Sequence, residues 1–158
     1  MKLRILAVGC KMPAWVEQGC SEYLKRMPRE AAVEVIEIKP EKRAAGKSGK
    51  QIREAEAGRL LEATGRDYLV ALDEHGQEPT SLQLAERMKH WMQGGRDVAL
   101  VIGGADGLHE KVLQAADWQW SLSKLTLPHG MARVLLTEQL YRAWSMINNH
   151  PYHRGDCS

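Results

Sequence analysis

The chain has 158 residues, 44% of them hydrophobic and 27% charged, which suits one compact domain with a sizeable core and excludes a membrane-embedded or low-complexity chain. A formal charge of +2 gives little global attraction for nucleic acid, so the placement of charge matters more than its sum. Phe is absent, and Leu, Ile, Val, Met and Trp must supply the large apolar contacts.

A strand is predicted over 3–8 (L-R-I-L-A-V), closed by Gly9 and Pro13. The basic start and Gly9-Cys10 resemble a lipoprotein signal only superficially. Arg4 interrupts the run, whereas a signal core needs roughly 7–15 apolar residues. Residues 15–27 have helical spacing, with Trp15, Gly19, Tyr23 and Leu24 near one face and Pro28 as the stop. A second strand covers 33–38. The stretch 39–53 carries Lys39, Lys42, Arg43, Lys47, Lys50 and Arg53 against Glu41 alone. It reads either as a phosphate-attracting patch or as a solvated loop and helix start.

A helix follows over 51–64, ended by Gly65. The third strand is 68–72 and the next helix 80–92, capped by Thr80 or Ser81. The continuous apolar run 98–102 suits a central strand covered on both faces. A short helix over 108–115 and a strand over 118–122 complete the alternation. The fold class is therefore α/β, a mostly parallel sheet with helices on both faces, in a single domain over 1–158. The last helix, 131–148, spreads Val134, Leu136, Leu140, Tyr141, Ala143, Trp144 and Ile147 over a broad arc, with Arg133 near its middle. Such a helix lies deep in the core or is shared with another subunit; its place at the end of a small α/β chain favours a dimer interface. Arg133 either snorkels from the first turn or pairs with a group in the site.

No stretch approaches the ~20 apolar residues of a membrane span. Cys10, Cys20 and Cys157 show no paired spacing, which fits a reducing compartment and a cytoplasmic location.

Four segments could carry chemistry. Residues 41–48, E-K-R-A-A-G-K-S, match the phosphate-binding loop G-x-x-x-x-G-K-[ST] except that Glu41 replaces the first glycine. That substitution removes the tight turn and adds negative charge beside a polyphosphate. The run I-G-G-A-D-G-L-H (102–109) follows the most apolar strand, at the strand end where α/β sheets bind ligands, and Gly107 can supply a positive φ. It is either a backbone cradle or a plain turn. The run L-S-K-L-T-L-P-H (122–129) can wrap an adenine between Leu122, Leu125 and Leu127, or serve as a buried connection. The tail N-N-H-P-Y-H-R (148–154) offers stacking, phosphate pairing and proton handling. His150 and His153 have no third partner, so no metal site is expected.

In combination, I-G-G-x-x-G-L, S-L-S-K-L-T-L-P-H and E-Q-L-Y-R-A-W-x-x-x-x-x-H-P-Y-H are far more specific than any one of them. Together with the opening K-L-R-I-L-A-V-G-C-K-M-P-x-W, they resemble the large-subunit ribosomal RNA pseudouridine methyltransferase family of the SPOUT class, over essentially the whole chain. The resemblance implies a carboxy-terminal trefoil knot, which periodicity could not reveal because knots are nearly absent from proteins. It implies S-adenosylmethionine bound by Leu72, Asp73, Gly103, Gly104, Leu122, Ser123, Lys124, Leu125, Thr126 and Leu127, without metal. It further implies a homodimer in which one subunit's tail completes the other's site, and 23S rRNA as substrate. The small domain and low net charge point to an assembled ribosome supplying much of the recognition surface. Two positions depart from the family pattern. Gln77 stands where relatives carry Lys, weakening a phosphate contact, and 155–158 extend past the usual end.

The reaction so implied is methylation of a pseudouridine at ring N3, an imide nitrogen that must first lose its proton. His129 is the preferred proton acceptor, with a role as a structural cap the alternative. Arg154, with Tyr152 and His153, orients the nucleotide, and Arg133 holds the tail. The rival readings are a non-catalytic ribosome-binding protein and a nucleotide-binding protein using 41–48.

Overall fold

In the computed structural model, which describes residues 1–9 and 11–154, five apolar runs pair into one sheet. Cys10, Cys157 and the extension 155–158 lie outside the described residues. In chain order the strands are β1 (Lys2–Val8), β2 (Ala32–Ile38), β3 (Tyr68–Gln77), β4 (Val98–Ile102) and β5 (Trp118–Trp120). The helices are α1 (Ala14–Leu24), α2 (Gly49–Thr64), α3 (Ser81–Gly94), α4 (Glu110–Ala115) and α5 (His129–Ile147), and a 3-10 turn spans Pro151–Arg154. All strand pairs are parallel, in the order β2-β1-β4-β3-β5.

Because side chains alternate along a strand, each strand feeds two cores. Ile5, Val70, Leu100 and Trp118 face Leu84, Met88 and Trp91 of α3 and Leu136, Leu140 and Ala143 of α5. Leu6, Ala71, Ala99 and Val101 face Ala57 and Leu60 of α2 and Val112 of α4. Every residue of β4 is buried, as its unbroken apolar run predicts for a strand covered on both sides. Capping boxes fix the starts of two helices: Ser48 with Gln51 opens α2, and Thr80 with Gln83 opens α3.

Four expectations are corrected. The buried face of α1 is Val16 and Cys20 rather than the Trp15 face, and Trp15 is 53% exposed. Gly19 does lie inward, with Val134 side-chain carbons 3.2 Å from where a Cβ would sit, so α1 packs closely on α5. That helix also ends at Leu24, before Pro28 requires it. β3 does not stop at Leu72: residues 73–76 bulge outward, and Leu72 and Gln77 both pair with Trp120. β5 stops at Trp120, not at residue 122.

Candidate active site

The connections leaving β3, β4 and β5 at their carboxyl ends enclose a cavity of about 530 Å³, within the size range of small-molecule sites. Each loop has a local reason for its shape. The β3 bulge is possible because Gly76 has no side chain: a Cβ there would lie 2.7 Å from the backbone of Gln119 and Trp120. Asp73 Oδ2 accepts the His75 N–H at 3.1 Å, which fixes the bulge around Leu72, Asp73 and Glu74. After β4, a Cβ on Gly103 would meet the Gly107 carbonyl carbon at 2.7 Å, and Gly107 takes φ 79°. Those glycines let the 103–107 turn fold back on itself, closed by the Gly107 N–H donating to the Gly104 carbonyl. After β5, the Ser121 hydroxyl donates to the Ser123 carbonyl and Ser123 Oγ accepts from the Leu125 N–H.

Leu72, Asp73, Gly103, Gly104, Leu122, Ser123, Leu125, Thr126 and Leu127 all line this cavity, as do Glu74, Asp106, Pro128 and Ala132. Lys124 is in the same loop but not among the lining residues. Leu125 is 75% exposed at the mouth.

The floor is the first turn of α5. His129 Nδ1 lies 3.1 Å from the Gly103 carbonyl, and Arg133 Nε donates to His129 Nε2 at 2.9 Å. A guanidinium can only donate, so Nε2 is the acceptor, Nδ1 carries the proton and the ring is neutral. Burial is the main cause that pushes His129 below its ordinary 6.5, and the charge of Arg133 pushes the same way. The Gly103 carbonyl and Glu37 oppose the shift. Arg133 does not snorkel: it is 4% exposed, with Nη1 donating to Glu37 Oε1 at 3.3 Å. Its Nη2 has no partner and sits 3.2 Å from where a Cβ on Gly9 would be. Sequence reasoning missed Glu37, whose link to Arg133 joins the ends of β2 and α5 and leaves no periodic signal. It also left Asp106 without a role, although that residue lies inside a motif singled out.

Tyr152, His153 and Arg154 are not brought to the cavity of their own chain. They follow the far end of α5, which at 1.5 Å per residue is roughly 27 Å from His129. There the Tyr152 ring meets Tyr141 edge-on at 4.8 Å, Arg142 lies 5.1 Å from the Tyr152 ring, and Arg154 donates to Asn149 Oδ1. Burial, helped by a hydrogen bond with Tyr23, raises the Tyr152 hydroxyl above the usual phenol range.

The segment 41–48 does not form a phosphate cradle. Glu41 sits against Lys47 and Arg59, and the capping box at Ser48 occupies donors that a phosphate would need at the start of α2. Gln77 makes a structural contact, its side-chain oxygen accepting from Trp118 Nε1 at 2.8 Å and from Arg87 Nη2 at 3.2 Å. Among the described residues no group of three or more His, Cys, Asp or Glu is placed to hold a metal ion, and no helix is long and apolar enough to cross a membrane.

A family model described as a predicted SPOUT methyltransferase matches residues 1–153. A protein named ribosomal RNA large subunit methyltransferase H from Methylobacillus flagellatus is 70% identical over 154 residues, 98% of this chain and 99% of that one. Its namesake from Dechloromonas aromatica is 59% identical over 155 residues, again 98% and 99% of the two chains. Among solved structures, a probable methylase family protein from Haemophilus influenzae Rd KW20 covers 94% of this chain and 69% of its own, with a TM-score of 0.57 at 16% identity. That last likeness is one of fold.

Proposed function

The chain belongs to the SPOUT methyltransferase family, and from that premise we propose that it methylates large-subunit ribosomal RNA with S-adenosylmethionine, at ring N3 of a pseudouridine. The observation that carries the reading is the cavity at the ends of β3, β4 and β5. Its walls are apolar and backbone-rich, and its rim bears Asp73, Glu74 and Asp106. This chemistry suits a cationic sulfonium nucleoside and disfavours a polyphosphate.

When bound, S-adenosylmethionine supplies an electrophilic methyl group. The chain's own part is then mostly positioning. Backbone groups of residues 122–127 would hold the adenine between Leu122 and Leu127, and Gly103 and Gly104 would let the backbone approach it closely. His129 ties the Gly103 carbonyl to α5. Because Arg133 occupies its Nε2 lone pair, we assign His129 to positioning that loop; it can accept a proton only after Arg133 lets go. Arg154 of a second copy, with Tyr152 and His153, presents the nucleotide. The N3 proton would leave to solvent, and the fixed cation would lower the cost of the imide anion, which forms the N3–methyl bond as the methyl–sulfur bond breaks.

The roughly 27 Å along α5 supports a homodimer, since one chain cannot bring its tail to its own cavity. Exposed Met131 in the first turn of α5, and exposed Trp15 of α1 beside Gly130, are candidate interface residues. We also infer the trefoil knot: residues of 121–128 line one cavity with the ends of β3 and β4, and α5, which follows them, packs on α1 and α3. The substrate is 23S rRNA in the assembled ribosome, and the enzyme works in the cytoplasm.

Calorimetric titration with S-adenosylmethionine tests the reading. Saturable binding is expected, together with methyl transfer to ribosomes in preference to a free RNA hairpin. A chain that binds RNA but not the cofactor would instead be a non-catalytic ribosome-binding protein. Nucleotide binding sensitive to Lys47→Ala would favour the phosphate-loop alternative.

A further inference from the structure

We propose that the segment 39–53 is a docking rim for RNA backbone phosphates, placed against the cofactor cavity so that it steers the substrate to the open mouth. This rests on the rRNA methyltransferase reading above and adds where the polyanion lands.

The sheet is all parallel, so the loop after β2 emerges at the same end as the cavity loops. Two observations bring it to the cavity itself. Arg43 Nη2 pairs with Asp106 Oδ2 at 2.6 Å, and Asp106 lines the cavity. Arg53 Nη1 and Asp106 Oδ1 lie 3.4 and 3.5 Å from where a Cβ on Gly49 would sit, so that glycine lets the first turn of α2 close on the 103–107 turn.

The acids that share this rim are already engaged. Glu41 holds Lys47 and Arg59, Glu54 holds Lys111, and Asp106 holds Arg43. The buried Glu56 accepts the Glu41 N–H at 3.0 Å. Lys39, Lys42 and Lys50 are exposed and enter no ion pair among the described residues. Their backbone is nonetheless pinned. Arg59 Nη1 donates to the Lys39 carbonyl at 2.9 Å, the Lys42 N–H donates to Glu41 at 3.2 Å, and Lys50 lies in α2. Three free ammonium groups are therefore held on a fixed frame, which lowers the ordering cost of binding phosphate. Across the mouth stand Asp73 and Glu74, which repel a polyanion and make the field one-sided.

The test compares the full chain with two triple variants. One is Lys39→Gln, Lys42→Gln, Lys50→Gln. The other removes equal charge elsewhere, through Lys2→Gln, Arg66→Gln, Lys89→Gln. Binding to a large-subunit rRNA fragment is titrated against salt, and ribosome methylation kinetics are measured in parallel. The rim variant should keep its S-adenosylmethionine affinity and its kcat. At near-physiological salt it should weaken RNA binding and raise KM roughly tenfold, and it should flatten the dependence of log affinity on log salt by about two. The control should do neither. Equal effects from both variants, or loss of nucleoside triphosphate binding with RNA affinity intact, would overturn the rim. Failure of the unmodified chain to methylate ribosomes would instead sink the methyltransferase reading, with the RNA titration still judging the rim on its own.

Discussion

At its amino end α5 carries His129 and Arg133 beneath a cavity rich in backbone groups; at its carboxyl end Tyr141 and Trp144 pack with Tyr152 and His150. The first region is fixed by directional bonds to other strands, through Gly103 and Glu37. The second is held by ring packing and by contacts local in sequence, such as Arg154 to Asn149. The tail's ring contacts, which reach Tyr141 of α5 and Tyr23 of α1, are less directional and can be exchanged for equivalent contacts on a second copy at lower cost than the bonds at the cavity end. In the dimer proposed above, the two ends of α5 would serve as two half-sites, with the adaptable half at its carboxyl end.

The largest effects should come from separating the halves. Arg154→Ala is expected to lower methyl transfer by at least ~10²-fold while sparing S-adenosylmethionine binding in calorimetry. Gly103→Val should abolish cofactor binding and turnover with it, because its Cβ would meet the Gly107 backbone at 2.7 Å. Mixing the two inactive proteins should restore roughly a quarter of normal turnover, the share of intact composite sites in a random C₂ population. No recovery after subunit exchange would mean that each chain uses its own tail.

A smaller effect sharpens the cavity end alone. Arg133→Met leaves His129 Nε2 without its donor and should cost about 1–3 kcal/mol in chemical denaturation; the partner Glu37 is 44% exposed, which limits the loss. The pH dependence has a definite sign. His129 titrates below 6.5 when folded, so the unfolded chain binds more protons between the two values. The stability from its neutral form is complete above about 6.5 and is lost as pH falls through the folded value. Melting temperature should drop on acidification, and His129→Gln should flatten that slope. An unchanged slope would show that the ring is not held neutral.

Much of this was legible in the residues. The buried run of β4, the stop at Gly65 and the positive φ at Gly107 follow from local rules. Of the ten residues carried over for the cofactor, Lys124 alone is not among those lining the cavity. What could not be read depends on partners distant in sequence. D-E-H-G-Q has no strand pattern, yet Gln77 rejoins the sheet because Trp120 offers a second pairing. The apolar arc of α5 placed Arg133 near its middle but left open whether it snorkels or pairs, because its partner Glu37 is 96 residues away. The separation of the tail from the cavity could not be seen in the sequence either, because it is set by the length and direction of α5 rather than by residue type.

The smallest effect concerns Gln77, where β3 rejoins Trp120 after its bulge. Gln77 is the acceptor for Trp118 Nε1, and Arg87 lies 3.8 Å above that indole ring. Gln77→Lys, the residue that the family resemblance leads one to expect, has no acceptor and would point an ammonium toward Arg87. The change should cost about 1 kcal/mol in stability and leave both the cofactor affinity and the mixed-dimer recovery unaltered. If the new lysine tightened RNA binding instead, the edge of β3 and β5 would join the substrate surface beside the cavity mouth.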